Sequence, residues 1–181
     1  MEMLLRMSDR RVNRAAVTAA AILGLMSLGS VVGTQNSPDE TAIRQILDNQ
    51  VATWNKGDTD GYSRHFAADG PFKNIRGMFF TGHQAVRDRH EAIFKNEFRG
   101  TTLKQEIASF RFIRPDVVIA ETLTSVSGFS KAGPPPGIQL DANGRLRTRL
   151  LQVLKKDGAE WKIVVYHNVD VKPGVPVPEP R

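Results

Sequence analysis

Apolar residues recur at helical spacing in the part of the chain that follows residue 37. Ser37 and Glu40 form a capping box around Pro38, a proline at the first helical position, so a helix is predicted to begin there. Lys56 and Gly57 supply the cation and the glycine that favour its end. Between these signals the apolar side chains fall on one face of the helix: Ile43, Ile46, Leu47, Val51 and Trp54.

Two further helices are predicted before the pattern changes. Tyr62 and Phe66 lie four residues apart and favour a short second helix that forms a hairpin with the first. After a short extended segment, Thr81 and Gln84 repeat the capping-box pattern, which predicts a third helix ending near Gly100. The inner face of this helix carries one histidine among apolar residues: Val86, His90, Ile93 and Phe94.

Beyond residue 101 the hydrophobic pattern has a period of two, which is typical of strands. Helices followed by consecutive strands indicate an α+β fold, with helices packed on one face of a curved antiparallel sheet. A proline- and glycine-rich segment, residues 128–144, is predicted to be a long loop. The four predicted strands cover residues 103–113, 117–127, 146–155 and 161–169.

The last predicted strand carries the strongest candidate for chemistry. Simple alternation places Trp161, Ile163, Val165 and His167 on one face. If this apolar row packs against the helices, His167 lies at the rim of the enclosed cavity. The opposite face is mixed and is predicted to meet a partner subunit: Lys162, Val164, Tyr166 and Asn168.

Composition divides the chain into segments. Residues 1–14 contain four arginines and residues 15–33 contain no charge, which is the layout of a secretory signal, with a retained membrane anchor as the alternative. We therefore expect a secreted or periplasmic protein, in contact with a membrane only if residues 15–33 remain. Residues 34–37 are predicted to be a linker, 38–170 the folded domain, and 171–181 a proline-rich disordered tail.

Charge and residue content exclude several classes of function. The chain has a net charge of +6 and no cysteine, so a disulfide framework, a thiolate metal site and a cysteine nucleophile are excluded. The basic residues are spread among acidic ones without interleaved aromatic residues, which argues against nucleic-acid binding. We expect no cofactor and no metal, because no glycine-rich dinucleotide motif and no cluster of ligands is present.

A set of segments together resembles a known superfamily. Residues 49–58, 66–69, 72–77, 114–117 and 161–168, with Gly82 and His90, are similar to the SnoaL-like, nuclear-transport-factor-2-like (NTF2-like) superfamily, and most of all to its SgcJ/EcaC group. The resemblance implies a cone-shaped fold with an internal pocket, commonly a homodimer formed through the convex face of the sheet. The oxidoreductase label often given to that group has no support in the residues present.

Three polar residues are the candidates for catalysis. His167 can exchange a proton near neutral pH, and His90 can join it if both reach the pocket, although a hydrogen-bonded core histidine is the alternative for each. Asn74 can donate to and accept from a ligand, or can hold a turn. Glu121 is interpreted as an acid paired to an arginine, or as a buried base. The ligand-binding candidates are Trp54, Phe66, Phe72, Phe94 and Asn74, the aromatic ones having a purely structural alternative.

The function that these features predict is binding of a small organic molecule in an apolar pocket with His and Asn anchors. Cofactor-free acid/base chemistry, such as isomerisation or dehydration, is one hypothesis. A binding domain without chemistry and a dimerisation domain with a filled core are the alternatives. A ligand site should offer roughly a few hundred Å³, whereas a filled core should not.

Overall fold

The computed structural model describes residues 37–176. The predicted signal or anchor at residues 1–33, most of the predicted linker and the end of the predicted tail lie outside these residues. Within the described range, no helix is both long and apolar enough to cross a membrane. The elements in chain order are α1 (Pro38–Lys56), α2 (Thr59–Ser63), β1 (Pro71–Lys73), β2 (Phe79–Thr81), α3 (Gly82–Lys95), β3 (Thr102–Arg114), β4 (Val117–Ser127), β5 (Leu146–Asp157) and β6 (Glu160–Asp170).

Helix α1 begins and ends as its caps predict. The Glu40 N–H donates to the Ser37 side-chain oxygen at 3.1 Å, and Gly57 ends the helix in the left-handed conformation with φ 66°. Asp39 in the first turn accepts hydrogen bonds from Lys156 and from Trp161. These bonds join the start of α1 to the β5–β6 hairpin.

Helix α3 begins differently from the prediction. Thr81 makes no side-chain cap, and the Gln84 side chain donates to Asp88 instead of reaching back, so the predicted second capping box is wrong. The helix is set in place by Gly82, which adopts a φ of 85° and donates its N–H to the Gly70 carbonyl at 2.9 Å. It ends at Lys95, and turns occupy the residues up to Gly100.

The six strands form one curved sheet in the order β2-β1-β6-β5-β4-β3. Strands β3 to β6 form the predicted antiparallel meander. The short strand β1 runs parallel to β6, with Phe72 opposite Tyr166, so the sheet is mixed and not wholly antiparallel. Residues 128–145 connect β4 to β5 as the predicted long loop. The helices cover one face of the sheet, which we call the concave face.

A bulge in β6 overturns the predicted strand faces. Val153 pairs with Val165 and Leu154 pairs with Ile163, so Val164 is an extra residue in β6. An extra residue reverses the alternation beyond it. Tyr166 and Asn168 therefore turn toward the concave face, and His167 is exposed on the opposite face. The prediction that His167 faces the cavity is wrong for this reason.

A buried pair of amides links α1 to β5 in the core. The Gln152 side-chain amide donates to the Gln50 side-chain oxygen at 3.1 Å. Both residues are almost fully buried. Gln50 Nε2 and Gln152 Oε1 have no hydrogen-bond partner within the described residues. Unpaired buried polar atoms are costly, so this contact holds the helix in register at the expense of stability.

The two glutamines should be strongly coupled in their effects on stability. Gln152→Leu leaves the buried Gln50 amide without its hydrogen-bond partner and is expected to lower the free energy of unfolding by about 1–3 kcal/mol. Replacing both residues by leucine should cost less than the sum of the two single changes. Urea denaturation of the four proteins in this double-mutant cycle measures the coupling, and additive effects would contradict the pairing.

Candidate active or binding site

A cavity lies between the helices and the concave face of the sheet. Its apolar walls include Trp54, Phe72, Ile93, Phe98, Leu103 and Leu146. The long loop contributes Pro135 and Ile138 to the lining. Its volume is about 80 Å³, smaller than the few hundred Å³ that was predicted and below the roughly 150 Å³ of a cavity known to hold benzene. A larger ligand therefore requires movement of the loop or of the long side chains at the rim.

His90 lies in the lining of this cavity. The residue is 2% exposed, and its Nδ1 lies 2.7 Å from the Val86 carbonyl one helical turn earlier. Nδ1 therefore carries the proton as the donor, and Nε2 is left as an acceptor. Burial lowers the pKa of His90 from 6.5 to about 4. The imidazole is neutral at physiological pH.

Two tyrosines meet beside this histidine. The hydroxyl groups of Tyr62 and Tyr166 are 3.2 Å apart, and the Tyr62 ring lies 4.2 Å from the His90 ring. Phe72 stacks on Tyr166 with ring centroids 4.6 Å apart. Burial raises the pKa of Tyr166 to about 12 and that of Tyr62 well above its usual value of 10. Both phenols stay protonated, and a hydroxyl at this position can donate to a ligand.

The sheet supplies further polar groups to the cavity. Asn168 on β6 lies in the lining, and its Oδ1 is buried without a hydrogen-bond partner in the described part of the chain. By contrast, the hydroxyls of Thr124 and Thr148 bond to each other at 2.5 Å, and Gln105 donates to the Leu47 carbonyl. The Asn168 side-chain oxygen is therefore a polar atom of the sheet that is left free to meet a ligand.

Two arginines reach the rim of the cavity. Arg76 lies in the turn after β1 and is exposed, and Arg89 lies on α3 and is half-buried. Burial lowers the pKa of Arg89, the nearby Glu97 raises it, and the positive charge of Arg76 lowers it. Neither guanidinium forms an ion pair with a carboxylate of residues 37–176.

A family model for the SnoaL-like domain matches residues 43–168. The chain belongs to the SnoaL-like family. No curated protein matches the chain.

Solved structures of distant relatives share the cone-shaped, NTF2-like or cystatin-like fold of this SnoaL-like domain. A Nostoc punctiforme domain of unknown function is 20% identical, with a TM-score of 0.63 over 76% of this chain and 80% of its own. A ketosteroid isomerase-like protein from Erwinia carotovora atroseptica is 14% identical, with a TM-score of 0.59 over 76% and 100%. A type 2 hexachlorocyclohexane dehydrochlorinase is 11% identical, with a TM-score of 0.61 over 74% and 86%.

The candidate residues of the SnoaL-like domain divide between the cavity and its surroundings. Trp54, Phe72, Asn74 and His90 lie in the lining. Phe66 and Phe94 do not: they pack behind it, against Tyr166 and Trp54 respectively. The proposed roles of these residues in binding or catalysis stay predictions.

Asn74 holds the turn between β1 and β2. Its Oδ1 accepts from the backbone N–H groups of Arg76 and Met78, each at 3.0 Å. The structural interpretation of Asn74 as a turn residue is thus confirmed. Since the side-chain oxygen is already engaged, a ligand can meet only the amide nitrogen of Asn74.

His167 lies on the convex face of the domain, away from the cavity. It lines a groove of about 440 Å³ with Leu151 and Val169. Glu121 in the same groove accepts from Arg149 Nε at 2.8 Å, which confirms the interpretation of Glu121 as an arginine-paired acid. The geometric reason for assigning catalysis to His167 is therefore lost.

Sequence reasoning missed most of the polar groups at the cavity. Simple alternation places Tyr166 and Asn168 on the opposite face, because it does not reveal the bulge. The hydrophobic pattern does not indicate that the side chains of Arg76 and Arg89 reach the cavity. The pattern indicates Tyr62 only as a helix position.

As for metals, no group of three or more His, Asp or Glu side chains within residues 37–176 is placed to hold an ion.

Proposed function

We propose that this SnoaL-like domain binds a small organic molecule in the concave-face cavity. The observation that carries the proposal is the buried, unpartnered Asn168 oxygen in a largely apolar lining. Buried polar atoms in folded proteins are nearly always hydrogen-bonded, so a free one in a cavity suits a ligand better than a filled core. The free Nε2 of His90 supplies a second acceptor in the same space.

The ionisation state of His90 favours binding over catalysis. A general base is most effective when its pKa is near the working pH, and burial holds the pKa of His90 at about 4. A neutral imidazole of this kind accepts a hydrogen bond from a ligand hydroxyl well, but takes a proton from carbon poorly. The domain therefore recognises and holds its ligand.

Cofactor-free acid/base chemistry is the second candidate. Its support is the position of the protonated Tyr62–Tyr166 pair beside His90, because a phenol can donate to a developing oxyanion while the imidazole accepts a proton. Isomerase-like and dehydrochlorinase names among proteins of similar fold are compatible with this chemistry. Turnover of a bound molecule, absent in Tyr166→Phe, distinguishes this candidate from binding alone.

Three further proposals concern export, the subgroup of the family and the oligomeric state. The protein is exported through residues 1–33, it belongs to the SgcJ/EcaC group of the family, and it forms a homodimer through the convex face. The exposed Leu151 and Val169 support the dimer, Val169 being 53% exposed. Sedimentation equilibrium tests the dimer, and N-terminal sequencing of protein from the culture supernatant or periplasm tests export.

Asn168→Leu should separate binding from folding. The change removes an unpaired buried polar atom, so the melting temperature is expected to stay the same or to rise. Affinity for the ligand should fall about tenfold, as expected for the loss of one buried hydrogen bond. Ligand-observed NMR with small hydroxylated probes, together with thermal denaturation, measures both quantities.

His167→Ala is the matched control for this experiment. Its side chain lies on the convex face, so its removal should leave probe binding unchanged. Loss of binding in His167→Ala with full binding in Asn168→Leu would move the site to the convex face and contradict the proposal.

A further inference from the structure

The charged side chains in the cavity lining are all positive. The lining within residues 37–176 contains Arg76 and Arg89 and no aspartate or glutamate. His90 adds no charge, because burial keeps it neutral. Any charged group that a ligand brings into this space is therefore met by two cations and no anion.

The two arginines differ from many of the others in the domain. Several guanidinium groups elsewhere are paired with a carboxylate at short distance, among them two i,i+4 pairs and one cross-strand pair: Arg44–Glu40, Arg145–Asp141 and Arg149–Glu121. Arg89 lies near Glu97, which raises its pKa, and near Arg76, whose positive charge lowers it. Arg76 and Arg89 are the charged residues in the cavity lining within residues 37–176, and an anion placed between them reduces their mutual repulsion.

We propose, resting on the binding function above, that the ligand carries a carboxylate group, which Arg76 and Arg89 bind at the rim of the cavity. Guanidinium groups present pairs of N–H donors that match the two oxygens of a carboxylate. The apolar part of the ligand then lies against Phe72 and Trp54. Its inner end carries a hydrogen-bond donor, such as a hydroxyl, for Nε2 of His90. The ligand class is a small hydroxy acid with an apolar body.

A phosphate is a poorer match to the same residues. The part of the lining formed by residues 37–176 contains no lysine and is mostly apolar. A strongly hydrated dianion loses more hydration than a planar, singly charged carboxylate does when it enters such surroundings. The carboxylate needs only the rim, and an apolar body of the size of a benzene ring then requires the movement of the loop or of the rim side chains described above, because the interior is about 80 Å³.

Matched acids and amides test this assignment. Isothermal titration calorimetry is carried out on the full chain with 4-hydroxybenzoate and 3-hydroxybutyrate, and with the neutral amide of each. In at least one pair the acid should bind about tenfold or more tightly than its amide, as expected for charge-assisted hydrogen bonds. Arg76→Gln and Arg89→Gln should each reduce the affinity for the acid toward that of the amide, and should leave the amide unaffected.

Arg111→Gln is the matched control for the same loss of charge. Arg111 is exposed near the far end of β3, outside the cavity lining, so its variant should bind the acid like the original protein. The melting temperature of Arg76→Gln should not fall, because the change removes a repulsion. That of Arg89→Gln should change little, because the change removes both this repulsion and the attraction to Glu97. A fall in melting temperature together with unchanged affinity would assign the arginines a purely structural role and overturn the proposal.

The remaining outcomes distinguish this proposal from the binding function on which it rests. Equal affinities of acid and amide, insensitive to both arginine variants but reduced in Asn168→Leu, would overturn the carboxylate and retain the binding function. Absence of binding by every acid and every amide would overturn both. Binding of inorganic phosphate through Arg76 and Arg89, without binding of either acid, would overturn the carboxylate in favour of a phosphorylated ligand.

Discussion

The free energy of unfolding should fall by about 3 kcal/mol as the pH drops from about 6.5 to about 4, because His90 stays neutral in the folded protein. Folding lowers the pKa of this imidazole from 6.5 to about 4, chiefly through burial. In that pH range the unfolded chain binds a proton that the folded chain does not. The contribution of His90 is fully present above the unfolded pKa and is lost as the pH falls through the folded pKa.

Urea denaturation across this pH range measures the effect. His90→Gln removes the titrating group, so its free energy of unfolding should depend less on pH between about 6.5 and about 4. His65→Gln is the control, because burial also lowers the pKa of this half-buried residue. The larger part of the pH dependence should persist in His65→Gln. An unchanged pH dependence in His90→Gln would show that His90 is not a buried neutral histidine.

Gly82→Ala should be among the most damaging single changes in the domain, costing at least about 3 kcal/mol. Gly82 adopts a φ of 85°, which other residues rarely adopt. A Cβ at this position would also overlap the Ala68 carbonyl oxygen, so the backbone would have to shift. That shift would break the bond from the Gly82 N–H to Gly70 and move the start of α3.

Gly77→Ala separates backbone strain from steric overlap as causes of the lost stability. Gly77 has a similar φ of 76°, but nothing lies within 4 Å of an added Cβ. It should therefore cost only the backbone strain, about 1–2 kcal/mol. Equal losses of stability in urea denaturation of the two variants would contradict the steric argument. Since α3 carries Arg89 and His90, Gly82→Ala should also weaken ligand binding more than Gly77→Ala does.

Much of the fold could be predicted from the sequence because its local signals agree. Both ends of α1 follow from its caps, and the alternation over residues 117–127 reproduces β4 without error. The bulge in β6 could not be predicted, because Ile163, Val164 and Val165 are all apolar. Within such a run, an extra residue leaves no trace in the hydrophobic pattern, so the change of face remains hidden.

The site was less predictable than the fold. His90 could be placed inside because helical periodicity puts it among apolar residues. The capping box at Thr81 was predicted wrongly because the left-handed Gly82 sets the helix start through a contact with the distant Gly70. Arg89 could not be assigned to the cavity, since a long arginine side chain on a helix can extend to either side of an apolar face.

Native mass spectrometry of the full chain purified from the cells that produce it tests the central claim most directly. The account predicts that a small hydroxy acid is retained in the native spectrum and released on denaturation. The same molecule should be depleted in Asn168→Leu and Arg89→Gln and retained in His167→Ala. Retention in the two cavity variants with depletion in His167→Ala would contradict the assignment of the concave-face cavity as the ligand site.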